Sequence, residues 1–216
     1  MRLYLASTSP ARLATLRAAG IEPVLLPSLV DEDAVVRAAE AERGPLPADE
    51  MVQLLARTKA EAAVALAAAT EHIDGLVLGG DSAFEIDGMI HGKPHTAERA
   101  RERWHAQRGR SGLLHSGHHL IAVRAGVPGR SVGCTSVATV EFADDITDAE
   151  IDAYVATGEP LAVAGAFTID SLGAAFITTI DGDPHTVVGL SVSVLRRLVR
   201  SLDVEWTSLW NRSPAS

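Results

Sequence analysis

A chain of 216 residues with 47% hydrophobic and 22% charged side chains can bury a substantial core and has none of the bias that marks disorder. Its formal net charge of -9 excludes the basic face that non-specific nucleic-acid and anionic-membrane binders present, so neither is expected as a partner. A single cysteine, Cys134, excludes an internal disulfide framework and fits a reducing compartment; together with an N-terminal apolar stretch too short for a signal peptide, this gives a cytoplasmic expectation. No apolar run reaches membrane-spanning length. Aromatic residues make up only 4%, which predicts a core of Ala, Val, Leu and Ile. Of the 19 Lys and Arg residues only Lys59 and Lys93 are lysines, and Lys is the compact point charge suited to phosphate oxygens.

In chain order, residues 3–6 read as a strand running into Ser7-Thr8-Ser9-Pro10. Ser9 is a good N-cap and Pro10 suits the first helical position, so a helix is predicted to about residue 19, closed by Gly20. Its free N–H groups, the Ser7 and Ser9 hydroxyls and Arg12 compose an anion-binding arrangement, although capping alone explains the same serines. Residues 21–26 suggest a second strand. The acidic run Asp31-Glu32-Asp33 reads either as half of a Mg²⁺ site or as a solvated loop, and residues 40–47 as a loop. A long helix is predicted over 49–70, with Val52, Leu55, Ala56 and Ala63 at helical spacing. Lys59 tilts toward that buried face, where an ammonium group requires an anionic ligand or a carboxylate partner.

Leu76-Val77-Leu78 reads as a short buried strand ended by Gly79-Gly80, which places Asp81 at a carboxyl-terminal sheet edge, where ligands bind in open α/β sheets. A turn at Asp87-Gly88 and a further Gly92 then deliver Lys93, fixed by Pro94. A β-hairpin with a polar tip facing water accounts for the same residues equally well. Thr96 caps a predicted helix to about residue 106, and residues 113–123 and 131–142 form a predicted antiparallel hairpin. His115, His118 and His119 lie on its first strand; adjacent residues there face opposite ways and no Cys or acid accompanies them, which argues against zinc. Thr147-Asp148-Ala149-Glu150 is a capping box for a helix ending near Gly158. A Gly-bearing loop over 169–173, a strand over 175–180 and a last helix entered at 187–190, with Val194, Leu195, Leu198 and Val199 apolar, complete the chain.

The ordered set Leu5-Ala6-Ser7-Thr8-Ser9-Pro10-Ala11-Arg12, Thr58-Lys59-Ala60, Gly80-Asp81-Ser82, Gly92-Lys93-Pro94, Gly109-Arg110, Gly158-Glu159-Pro160, Ala164-Gly165 and Val188-Gly189-Leu190 resembles the Maf family of nucleoside triphosphate pyrophosphatases, first named as septum-formation inhibitors. The resemblance runs from about residue 3 to about residue 200. It implies one α/β domain over residues 1–216, with a mixed β-sheet, flanking helices and a deep cleft between two lobes. The implied fold is that of the inosine-triphosphate pyrophosphatases, often a homodimer. It also implies hydrolysis of a nucleoside triphosphate to monophosphate and pyrophosphate with a divalent cation such as Mg²⁺. On this resemblance Asp81 is similar to the family's catalytic acid, Ser9, Arg12, Lys59 and Lys93 to its phosphate-handling positions, joined by Ser7, and Glu32 to its acidic loop position. Glu32 and Asp81 are then the implied metal ligands.

Departures from the family pattern fall at Ala11, where an Arg is common, and at Ala162-Val163, where an Asp and a Lys are common. Gly112 replaces a His. Ser82 and Asp170 stand where pyrimidine-specific members carry Thr and Gln, so Ala11, Ser82 and Asp170 are the candidates for substrate preference. These losses leave a non-catalytic nucleotide-binding regulator of cell division as the alternative to an enzyme.

Overall fold

The structure is a computed structural model in which residues 1–68 and 73–211 are described. Seven strands form one mixed sheet: β1 (Leu3–Ala6), β2 (Val24–Leu25), β3 (Gly75–Ile86), β4 (Met89–His91), β5 (Ser111–Arg124), β6 (Val127–Phe142) and β7 (Ile177–Asp181). Their order is β2-β1-β3-β5-β6-β7, with β4 also on β3. β1 runs parallel to β2 and β3, whereas the β3–β4 and β6–β7 pairs are antiparallel. The helices are α1 (Pro10–Ala18), α2 (Glu32–Arg43), α3 (Ala48–Ala68), α4 (Ala97–Gln107), α5 (Asp148–Ala156), α6 (Pro184–Val188) and α7 (Val192–Ser201). The end of α3 expected at Thr70 lies outside the described residues.

The chain divides into two compact units, and β3, β5 and β6 contribute residues to both. The first comprises Met1–Asp81, Ser116–Ser136 and Gly189–Ser216. β1 and residues 75–81 of β3 are buried on both faces, as parallel strands between helices must be. Leu3, Leu5, Leu76, Leu78 and Leu120 pack with Leu16 of α1 and with Val194, Leu195, Leu198 and Val199 of α7. Their alternating neighbours Tyr4, Ala6, Val77 and Ile121 pack with Ala60, Ala63, Val64 and Ala67 of α3. The aliphatic core expected from composition is found here. The second unit, Ser82–His115 and Val137–Val188, differs. It gathers Phe84, Phe142, Phe167, Phe176, Trp104 and Tyr154 into ring contacts with centroids 5.1–5.8 Å apart, edge-on except for the tilted Tyr154–Phe176 pair, and the Trp104 indole N–H donates to Ala166 O at 2.8 Å.

Several local expectations meet a different outcome. Residues 21–26 supply only a two-residue strand, because the Ile21 amide closes back on Leu16 O at 2.9 Å and Pro23 has no N–H to give a ladder. The acidic run is no loop: Asp31 caps α2 by accepting from the Ala34 amide at 2.9 Å, and Glu32 and Asp33 occupy the first turn, where negative charge suits the helix dipole. Residues 40–43, read as loop, close the same helix. No residue of α2 is fully buried, and its half-buried face, Ala34, Val35, Val36 and Ala39, is short and Ala-rich. The expected strand over 175–180 is shortened at its start by a 3₁₀ turn over Leu172–Phe176.

Candidate active site

β3 runs twelve residues rather than the expected three, so Asp81 is not at a strand end but in mid-strand. The glycines before it serve a purpose other than turning the chain. A Cβ on Gly79 would lie 2.0 Å from Ala56 O and 3.0 Å from the Ala60 Cβ, both on α3. A Cβ on Gly117 of β5 would lie 2.3 Å from Val52 O of the same helix. The two glycines therefore allow α3 to lie with its backbone almost on the sheet. That close seating brings Lys59, midway along α3, to Asp81. On the other side a Cβ on Gly80 would come 3.1 Å from Arg12 Nε, so the bare backbone there makes room for the guanidinium.

Asp81 and Lys59 are each 8% exposed, and Lys59 Nζ donates to Asp81 Oδ1 at 2.6 Å. The same ammonium meets Glu32 Oε1, on the first turn of α2, at 2.8 Å. The expectation of an anionic partner for Lys59 is thus met by two carboxylates. Arg12, also 8% exposed, donates through Nε to Gly189 O at 2.8 Å and through Nη1 to Ser7 Oγ at 3.1 Å. Ser7 Oγ further accepts from the Ser9 amide, and Ser9 Oγ caps α1 by accepting from the Arg12 amide. Burial lowers the Arg12 pKa, opposed by the nearby charges of Asp81 and Glu32. Burial pushes the Asp81 carboxyl above the ordinary carboxylate range, against the pull of Lys59 and Arg12.

Ser7, Ser9, Arg12, Glu32, Lys59 and Asp81 are therefore all in the first unit, and Ala11 lies beside them as the second residue of α1. Ser82, Lys93 and Asp170 belong to the second unit. There Lys93 is exposed after β4, next to Gly92, whose carbonyl accepts from Arg103. Ser82 is half-buried on β3, and Asp170 is exposed. The segment around Asp170 is tied down by Glu159, which sequence reading noted only within a motif. Glu159 accepts from Tyr154 Oη at 2.8 Å, Thr168 Oγ1 at 2.5 Å, Ser171 Oγ at 2.7 Å and the Leu172 and Gly173 amides at 3.3 and 3.1 Å.

Among the described residues no cluster of three or more His, Cys, Asp and Glu could hold a metal ion. Asp81 and Glu32 converge on one cation position, filled by the Lys59 ammonium. Two carboxylates suffice for Mg²⁺, which takes one or two protein oxygens and completes its octahedron with phosphate and water. The residues present fit such an ion.

Buried cations, two carboxylates and a helix N-terminus thus gather beside the parallel strands of a mixed sheet, in a protein of the α/β class. A family model described as Maf-like protein matches residues 2–202, and the chain belongs to that family. It is 71% identical over 216 residues to a protein of Leifsonia xyli named nucleoside triphosphate pyrophosphatase, covering all of both chains. Proteins of the same name from Cutibacterium acnes and Salinispora tropica are 51% and 50% identical, over 96% and 100% of this chain and 93% and 90% of theirs. A solved nucleoside-triphosphatase/dITP/XTP pyrophosphatase from Mycobacterium abscessus aligns over 94% of this chain and 97% of its own, with 15% identity and a TM-score of 0.37, too loose a likeness to bear on the assignment.

Proposed function

We propose that the protein hydrolyses a nucleoside triphosphate to the monophosphate and pyrophosphate with the help of a divalent cation, and that it thereby clears unwanted nucleotides from the pool. The observation that carries this reading is the buried Lys59 ammonium shared by Asp81 and Glu32 beside Arg12, in a chain whose relatives bear the pyrophosphatase name. Arg12 and Lys59 hold phosphate oxygens and absorb the charge that develops on departing pyrophosphate. Asp81, its basicity raised by burial, aligns and deprotonates the attacking water. Asp81 and Glu32 are the residues that would hold Mg²⁺, which supplies charge neutralisation on the phosphates when bound. Ala11, beside these groups on α1, bears on the choice of substrate.

Pyrophosphate release from a panel of standard and modified nucleoside triphosphates, with Mg²⁺ and with EDTA, tests the reading. Wild type is expected to turn over at least one of them only with Mg²⁺. Asp81→Asn should lose about 10²- to 10⁴-fold in kcat while remaining folded. Nucleotide binding without release under any condition would instead identify a non-catalytic regulator.

A further inference from the structure

We infer that His118 is a positioning residue for Arg12, acting through the turn between α6 and α7. This rests on the reading of Arg12 as a phosphate-binding group. One bond of the Arg12 guanidinium goes to a backbone carbonyl, Gly189 O, so the direction of that carbonyl bears on where the guanidinium points. Gly189, at φ +109, lies in the break after α6, a region open to glycine and strained for other residues. Two residues later a buried bond to the Ser191 amide anchors the same turn.

Ser191 is the N-cap of α7, and its hydroxyl accepts from the Val194 amide at 3.1 Å. Its own amide donates to His118 Nε2 at 2.9 Å in a buried bond. His118 is 0% exposed on β5, and its Nδ1 stands 3.3 Å from Cys134 O on β6. A backbone N–H can only donate, so Nε2 carries a lone pair, and the ring proton is on Nδ1, donated to Cys134 O. The imidazole is thus a neutral bridge from the hairpin to the start of α7. It holds the turn whose carbonyl holds Arg12, and all of these residues lie in the first unit.

The test compares His118→Leu, His118→Gln and His118→Asn in ¹⁵N-labelled protein, following solvent exchange of the Arg12 Nε–H proton by NMR, with melting temperature as the check on folding. His118→Leu should speed that exchange at least tenfold. His118→Gln, whose amide oxygen can reach the Ser191 N–H, should restore slow exchange, and the shorter His118→Asn should not. In the pyrophosphate assay His118→Leu should lose about 10- to 100-fold in kcat/KM, the scale of a 1 Å misplacement. It should cost almost nothing further in an Arg12→Ala background. Unchanged Arg12 exchange in His118→Leu, or equal behaviour of the Gln and Asn variants where the Leu variant fails to fold, overturns the inference. A loss that adds in full to that of Arg12→Ala overturns it as well. Absence of turnover in wild type would overturn the pyrophosphatase reading instead, while the exchange measurement still decides the role of His118.

Discussion

Lys59 stands between two carboxylates, and the energetics of that ion pair depend on burial more than on distance. Breaking a buried pair by removing one partner costs about 3–5 kcal/mol, because the other charge is left unsolvated. Glu32 is half-exposed and keeps water, so Lys59→Met should destabilise by less, about 2–3 kcal/mol near neutral pH in urea unfolding. Asp81, already pushed up by burial, then titrates above its unfolded value, so the variant gains stability as pH falls and the gap to wild type narrows in mild acid. A gap that widens in acid would contradict the assignment of Asp81 as the stranded charge. Glu159 shows the opposite sign. Burial pushes its carboxyl up, but the bonds from Thr168, Ser171, Gly173 and Tyr154 outweigh that and hold it at about 2. A lowered acid pKa contributes stability that is present above the unfolded value of about 4.3 and lost as pH falls through about 2. Glu159→Gln should therefore unfold about 1–2 kcal/mol more easily at pH 7, and the difference should close near pH 2.

At the scale of elements, the site depends on how closely α3 approaches β3 and β5. Gly79→Ala would set a Cβ against helix backbone rather than against a side chain that can move, so α3 must shift away from the strand. Such overpacking costs about 1–3 kcal/mol, and here it also separates Lys59 from Asp81, so activity should fall more than stability accounts for. Gly88→Ala is the control: nothing lies within 4 Å of its Cβ, and only its φ of +72 opposes the change. It should cost about 1 kcal/mol and leave kcat/KM unchanged. The contrast also explains what could be read from sequence. Ser9-Pro10, Thr96 and Thr147-Glu150 announced their helices because capping is local chemistry, and Lys59 announced a partner because its neighbours at helical spacing were apolar. Gly79-Gly80 misled, since a glycine that ends a strand and a glycine that admits a helix look alike until the helix is in place. Apart from the family resemblance, Glu32 was legible only as an acid in a run, because no residue of α2 is fully buried. His118 drew notice only as a member of an improbable metal cluster: its partners, Ser191 and Cys134, are set by tertiary contact and not by spacing.

At the scale of the molecule, a chain of net charge -9 that binds an anionic substrate sets long-range repulsion against local attraction. Arg12 and Lys59 are buried, so a phosphate that reaches them does so at contact distance, where salt screens little. The repulsion acts over tens of ångströms, and a Debye length that falls from about 30 Å at 0.01 M salt to about 8 Å at 0.15 M removes most of it. Salt should therefore leave kcat/KM level or raise it a few-fold over that range, with Mg²⁺ saturating and pH fixed. A protein that gathers phosphates on an exposed basic face behaves in the opposite way, losing affinity steeply as salt rises. Steady-state kinetics at four or five salt concentrations separate the two, and Lys93→Ala locates the cause. If kcat/KM in wild type falls tenfold or more, and the slope flattens in Lys93→Ala, then the exposed lysine of the second unit captures the substrate. If both proteins show a level or rising profile, the buried cations of the first unit carry the attraction by themselves.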